Sequence, residues 1–294
     1  VIDTTTNRIS TRSIKTGPFP SSIALSPDGG RAYVVNARLA GNGSVSVIDT
    51  ATNKLAVKAI EVGRYPEQIA VAPDGSRAYV ADFGSNAVSV IDTGSLAVAT
   101  IKVGRGPIAI AASPDGNRVY VTNSRSDSVS VIDTGTNKAV KRVRVGDAPS
   151  AIAISPDGTR AYVANTREDT ASVIDTATSK VVKTIRTGNT PSAIAVSPNG
   201  RRVYIANARD DSLSVVNTAT DKPAARTIEV GHRPTAIAVT PDGKRAYVTS
   251  LEPGVVSVVN TATGKPAAKA IEVGPFPIAL AITPDGSRVY VVKN

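Results

Sequence analysis

A short turn-and-strand phrase recurs seven times in this chain of 294 residues, and it limits the fold more than any other feature. One clear copy is Ser155-Pro-Asp-Gly-Thr-Arg-Ala-Tyr-Val-Ala-Asn165. The seven copies begin at Ser26, Ala72, Ser113, Ser155, Ser197, Thr240 and Thr283. The tyrosines within them are Tyr33, Tyr79, Tyr120, Tyr162, Tyr204, Tyr247 and Tyr290, spaced 46, 41, 42, 42, 43 and 43 residues apart. A period near forty built from strand-like units reads as a propeller. A helical solenoid would show apolar residues three and four apart, and that pattern is missing.

One unit divides into four strands. Strand a, Ser150 to Ser155, is apolar on both faces, as an innermost strand buried between neighbours must be. The Pro156-Asp-Gly158 turn follows, with proline presetting the backbone at the second position and glycine suiting the fourth. Strand b is Arg160 to Ala164, and strand c, Ala171 to Thr176, is β-branched and alternating. Strand d runs from Val181 to Ile185 and ends in Thr187-Gly188 before Pro191. Two copies of strand d open with proline, at Pro223 and Pro266, and several carry lysine. Both features suit an outer edge that must not recruit another chain.

The two ends of the chain are complementary. Val1-Ile-Asp-Thr4 reads as the end of a strand c, and a strand d follows, with the turn glycine at Gly17; the C-terminus supplies strands a and b, Ile278 to Lys293. The expectation is an all-β fold: one domain, 1–294, a seven-bladed β-propeller of four-stranded antiparallel blades. Its seventh blade combines residues 275–294 with 1–16, which removes the open seam of the ring.

Tyr120-Val-Thr-Asn123, with its close variants Tyr162-Val-Ala-Asn165 and Tyr204-Ile-Ala-Asn207, resembles the YVTN family of β-propellers. The companion Val-Ile-Asp-Thr stands at 47–50, 90–93, 131–134 and 173–176. The resemblance runs the length of the chain and departs at Ser250 and Lys293, where the asparagine is replaced. It implies a seven-bladed ring of bacterial or archaeal surface or exported type, sharing its architecture with propeller lactonases and lyases. The absence of tryptophan argues against a WD40 ring.

Composition excludes some chemistry. With no cysteine there are no disulfides and no thiol catalysis, and one histidine leaves no zinc or copper site of the usual kind. Neither a metal nor a cofactor is expected. No run of eighteen apolar residues exists, so no helical membrane span is expected. The start at Val1 is compatible with removal of a signal peptide, and a secreted, periplasmic or surface location follows from the resemblance.

The formal charge of +10 suggests a polyanion partner, but most of it is periodic. Arg31, Arg77, Arg118, Arg160, Arg202, Arg245 and Arg288 each stand two residues before a repeat tyrosine. Asp28, Asp74, Asp115, Asp157, Asp242 and Asp285 stand three residues before six of these arginines, so local ion pairs are expected. A second basic position recurs in the c–d turns at Arg8, Lys54, Lys138, Lys180, Lys222 and Lys265. No nucleic-acid motif accompanies this charge. Asn36, Asp82, Asn123, Asn165 and Asn207, at the ends of strand b, are expected to hydrogen-bond and close the b–c loops.

Function is expected on the opposite face, where the d–a and b–c loops vary most. All four aromatics outside the repeat, Phe19, Tyr65, Phe83 and Phe276, fall there, on blades seven, one and two, which the closed ring makes adjacent. Blade one also carries the longest b–c loop, 37–43. Exposed aromatics in one sector mark a binding surface; the competing expectation is that each ring packs on its own proline. The lone histidine, His232, stands with Arg233 in the loop entering blade six. Arg64 and Arg105 occupy the equivalent loops of blades two and three, and Glu67 and Glu252 are acids that break the repeat.

Three readings follow. The first is a non-catalytic, monomeric binding module whose partner is a surface protein, a glycan or a small ligand, held by Phe19, Tyr65, Phe83, Phe276, Arg64, Arg105, Glu67 and Glu252. The second is a lactonase- or lyase-like enzyme with His232 as base and Arg233 or Arg64 as electrostatic stabiliser. The third is polyanion binding by the basic face.

Overall fold

The computed structural model describes residues 1–11, 13–38 and 40–294. These residues form seven antiparallel sheets arranged as a ring, with no helix among them. Blade four shows the unit. Its strands a to d are Pro149–Ile154, Arg160–Asn165, Thr170–Asp175 and Lys180–Arg186. The register places Ile152 opposite Val163, Tyr162 opposite Val173, and Val173 opposite Lys183. Burial decides which face of each strand is apolar: strand b is buried along its length, whereas strand d is largely exposed.

Blade seven is assembled from both ends. Ile2–Asp3 pairs with Arg288–Lys293 on one side and Arg8–Ile9 on the other, with Ile2 opposite Val289. Pro277–Ile282 completes the sheet as its strand a. The closure expected from the sequence is the closure observed.

The core lies between blades. Tyr33, Val45 and Ile60 of blade one pack on Ile69, Val80 and Ile91 of blade two. Ile2 joins Tyr247 and Val258 of blade six to Leu280 and Val289, and Tyr290 and Val292 pack on Ile23 and Ile48 of blade one. Each tyrosine is thus a wedge between two sheets, and the chain ends supply packing on both flanks of blade seven.

The periodic charges do not form the local ion pairs expected of them. Asp157 accepts the Ser155 hydroxyl at 2.5 Å and the Thr159 N–H at 3.0 Å, which hold its carboxyl below the usual range. The Asp28, Asp115, Asp242 and Asp285 carboxylates likewise accept from a turn hydroxyl two residues back. The arginines reach into the next blade instead. Arg77 donates to the carbonyl of Thr134, Arg118 to that of Thr176, Arg202 to that of Thr261 and Arg245 to that of Thr4. Arg160 alone of the set finds an acid, Asp221, at 2.6 Å, again one blade on. A guanidinium has five donors and a long stem, so a turn carbonyl in the neighbouring sheet satisfies it better than a carboxylate already committed at its own turn.

Strand d of blades five and six differs from the expected single strand. It is broken into Lys222–Pro223 and Ile228–Glu229, and into Lys265–Pro266 and Ile271–Glu272. Proline there removes a ladder donor and fixes φ, so the edge interrupts rather than merely starts. The blade-one b–c loop is also shorter than expected, because Asn42–Asp49 is one strand whose Asn42 pairs with Arg64. Leu39 of that loop lies outside the described residues. No helix of the described residues is long and apolar enough to cross a membrane.

Candidate functional site: the mouth of the central channel

Every d–a turn has the form Gly-x-z-Pro, and the turn is built on the polar residue ending strand b. The glycine lies directly over that side chain. A Cβ at Gly63 would stand 2.5 Å from the Asp82 carboxyl carbon, and one at Gly104 2.5 Å from the Asn123 amide carbon. The belt of asparagines therefore supports the d–a turns and stitches b to c. Asn36 donates to Ser46, Asn123 to Ser130, Asn165 to Ser172 and Asn207 to Ser214, while Gly17 and Gly188 donate their N–H groups to Asn36 and Asn207. Their expected role in closing b–c loops is only part of what they do.

Blade two breaks this belt with a carboxylic acid. Asp82 is fully buried, the Ser89 hydroxyl donates to its Oδ2 at 2.7 Å, and its Oδ1 has no partner. Burial pushes its carboxyl up to about 7, only partly opposed by Ser89.

Position z of the turn is left-handed in all seven blades: Phe19, Tyr65, Gly106, Ala148, Thr190, Arg233 and Phe276 have φ of 45° to 63°. In four blades a side chain from the preceding b–c turn caps its N–H, as Asn86 does for Gly106 and Asp211 for Arg233. An aromatic residue is costly in this conformation. Yet Phe19, Tyr65 and Phe276 occupy it on three consecutive blades. Their carbonyls are held by the N–H groups of Ala37, Phe83 and Asn294. The three residues stay exposed, at 50%, 37% and 56%. The backbone is anchored while the ring is displayed.

Phe83 does not join them. It is half-buried, with the Arg125 guanidinium 4.4 Å from its ring centroid, and it packs into blade three. The expectation that all four aromatics form one exposed sector is corrected to three.

The residue after the turn proline lines the central channel, a cavity of about 280 Å³ walled by the a strands of all seven blades. At this level stand Ser21, Glu67, Ile108, Ser150, Ser192, Thr235 and Ile278, with an apolar belt of Ile23, Ile69, Ile152, Ile194, Ile237 and Leu280 also lining the cavity. The four hydroxyls have a shared task. Ser21 donates to the Pro66 carbonyl (3.2 Å), Ser150 to Pro191 (3.1 Å), Ser192 to Pro234 (2.7 Å) and Thr235 to Pro277 (2.8 Å), each in the next blade. Glu67 replaces this hydroxyl in blade two. Its carboxyl is raised by burial, and among the described residues nothing pairs with it.

The sequence sets Glu67 among the loop residues, and the structure places it in the channel wall. The signal was present: aligned on the turn proline, the copies read Ser, Glu, Ile, Ser, Ser, Thr, Ile. Arg64 and Arg105 are exposed at position x of their turns, where their N–H groups donate to Ser85 and Ser126. Glu252 lies 3.7 Å from Arg233. His232 Nδ1 is 2.6 Å from Asp211 Oδ2, and the backbone N–H of Arg233 and the His232 ring together hold Asp211 below the usual carboxylate range. Among the described residues no group of three or more His, Cys, Asp or Glu side chains is placed to hold a metal ion.

Two family models match parts of the chain. The YNCE-like β-propeller model matches residues 106–203, and the seven-bladed β-propeller lactonase model matches residues 173–274. No curated protein matches the chain. Among solved structures, a chain of Kuenenia stuttgartiensis hydrazine synthase superposes with a TM-score of 0.84 at 24% identity, covering 97% of this chain and 98% of that one. That likeness is one of fold.

The lactonase match spans His232, Arg233 and Asp211 but leaves out Phe19, Tyr65, Glu67 and Phe276. Two chemistries therefore occupy the same face on different blades: an imidazole–carboxylate pair on blades five and six, and an aromatic arc with a channel carboxylate on blades seven, one and two.

Proposed function

We propose that this propeller is a non-catalytic binding module, exported or at the cell surface, that takes a ligand or partner at the channel mouth on the loop face. The observation that carries the reading is the arc of Phe276, Phe19 and Tyr65. Three exposed aromatics stand on adjacent blades in a backbone conformation that disfavours them, where glycine, alanine, threonine and arginine serve the other blades. Backbone strain of this kind is kept where it serves binding. A protein, glycan or small-molecule partner would each gain from such rings.

The test is a thermal-shift screen against oligosaccharides, peptides, lactones and polyanions, run on the wild type and on the Phe19→Ala, Tyr65→Ala, Phe276→Ala triple variant. A ligand that stabilises only the wild type supports the reading. Equal shifts in both proteins would move the site off the arc.

A lactonase-like activity is the second reading, favoured by the His232–Asp211 contact within the segment that matches the lactonase model. In it His232 serves as base, oriented by Asp211, and Arg233 stabilises the developing oxyanion. Turnover of simple lactones that disappears in His232→Ala would establish it; no turnover by the wild type would remove it.

A further inference from the structure

We propose that the channel mouth is a site for a small organic ammonium ion, its charge seated on Glu67 and its apolar body against the arc of Phe276, Phe19 and Tyr65. The inference rests on the binding-module reading and adds the chemical class of the ligand.

Charge comes first. Among the described residues that line the channel, Glu67 is the only ionisable side chain, and none is lysine, arginine or histidine. The repeat does not call for an acid here. In blades one, four, five and six a serine or threonine fills the position and ties two blades together, a bond that Glu67 forgoes. Its carboxyl is partly desolvated without compensation, as the upward pull of burial records. A buried charge left unpaired is costly, and the cost is recovered when a ligand supplies the opposite charge.

Hydrogen-bond polarity points the same way. The Ser21, Ser150, Ser192 and Thr235 hydroxyls spend their protons on proline carbonyls and so present no proton to the channel, while the Ser150 oxygen also accepts from Thr166 and that of Thr235 lies 2.9 Å from the Thr249 hydroxyl. Gln68 spends its Oε1 on the Ile110 N–H, which leaves its amide as the exception on the donor side. One carboxylate among hydroxyls whose protons are committed elsewhere suits a donor-rich cation and repels an anion. An ammonium group carries donors and no acceptor.

The apolar half of the ligand is met on the same side. Ile278 and Ile108 take the channel-lining position in blades seven and three, flanking Ser21 and Glu67. Two residues before Ile278, Ser21 and Glu67 stand Phe276, Phe19 and Tyr65, whose faces attract cations as well as hydrocarbon. The cavity of about 280 Å³ admits a small molecule rather than a polymer chain.

The experiment is calorimetric titration of the full chain with benzylammonium chloride, benzyl alcohol and calcium chloride. The proteins compared are the wild type, Glu67→Gln, Glu67→Ser and the triple aromatic variant. Glu67→Ser restores the residue used in blade one and is the control for folding. Benzylammonium is expected to bind the wild type at least about tenfold more tightly than benzyl alcohol, since one paired charge in a partly desolvated site is worth that much. Both Glu67 variants should reduce benzylammonium to the level of the alcohol. Equal affinity for amine and alcohol, an amine affinity untouched by Glu67→Gln, or calcium binding at Glu67 in place of the amine would each overturn the proposal. If a neutral ligand from the screen is lost in the aromatic variant yet kept in Glu67→Gln, the binding-module reading stands and the ammonium site falls. If no probe of any class binds the wild type, both fall.

Discussion

Arg288, in strand b of the last blade, donates from its guanidinium to the backbone carbonyl of Thr50 in the first, 2.6 Å away across a separation of 238 residues. Tyr290 adds a bond to Asn53 of the same turn at 2.7 Å. Arg245 and Tyr247 do the same one blade earlier, to Thr4 and Asn7. The last two joints of the ring thus both depend on blade seven, and blade seven depends on its N-terminal strands.

Deleting residues 1–16 should therefore cost more than one edge. It removes the Ile2–Val289 pairing, the Ile2 packing on Tyr247, and the Thr4 acceptor of Arg245. Strand b of blade seven would be left as an unpaired edge. The expected result is aggregation or loss of cooperative unfolding, read by size-exclusion chromatography and calorimetry. A monomeric truncation with an unchanged melting temperature would contradict it.

Asp82 makes stability depend on pH in an unusual direction. Its folded pKa of about 7 lies above the ordinary 3.8, so the folded state binds the extra proton. Stability from this group is full below 3.8 and is lost as pH rises through 7. Asn fills the position in four other blades, and Asp82→Asn should raise unfolding free energy by on the order of a few kcal/mol at pH 8 and much less at pH 5. Urea titrations of both proteins at the two pH values give the comparison. An equal gain at both would show that the buried Oδ1, and not its charge, sets the cost.

The exposed rings should prove dispensable to the fold. At φ 50° Phe276 is in a conformation that glycine adopts freely, so Phe276→Gly should change stability by less than about 1 kcal/mol in either direction. Phe276→Val, β-branched at a left-handed position, should destabilise by on the order of 1 kcal/mol or more. If Phe276→Gly instead costs about 3–5 kcal/mol in urea unfolding, as truncating a core phenylalanine does, the ring is packed rather than displayed.

His232 and Asp211 separate into a passenger and a support. The Asp211 carboxylate caps the left-handed Arg233 N–H, as Asp127 and Asp169 cap their own turns, whereas the His232 ring is largely in solvent. Asp211→Ala should cost about 1 kcal/mol, the worth of a hydrogen-bonded cap, and His232→Ala no more than about 0.5 kcal/mol. Thermal denaturation of the two variants side by side checks the order. The reverse order would make the imidazole the structural member of the pair.

Turn chemistry and tyrosine spacing made the ring legible, because a Pro-Asp-Gly turn and a buried wedge each demand particular residue types. The arginine latches were not legible, since their acceptors are main-chain carbonyls that leave no mark on residue choice. Phe83 misled for a related reason: its partner, Arg125, lies in the next blade, and sequence gives no account of which neighbour a loop leans on. Glu67 was visible as a break in the repeat, but loop and channel wall meet within two residues of the turn proline. Only the pleat of strand a, facing the axis at that residue, separates them.

A joint made to a backbone carbonyl is indifferent to the identity of the residue that offers it. Where the arginine joint is of this kind, a blade can be altered at its opposite loops while that fitting to its neighbour stays the same; the joint of Arg160 to the Asp221 side chain is the exception. Change on the loop face can accumulate one blade at a time, and a single arc of the ring can differ while the other blades keep the repeat pattern.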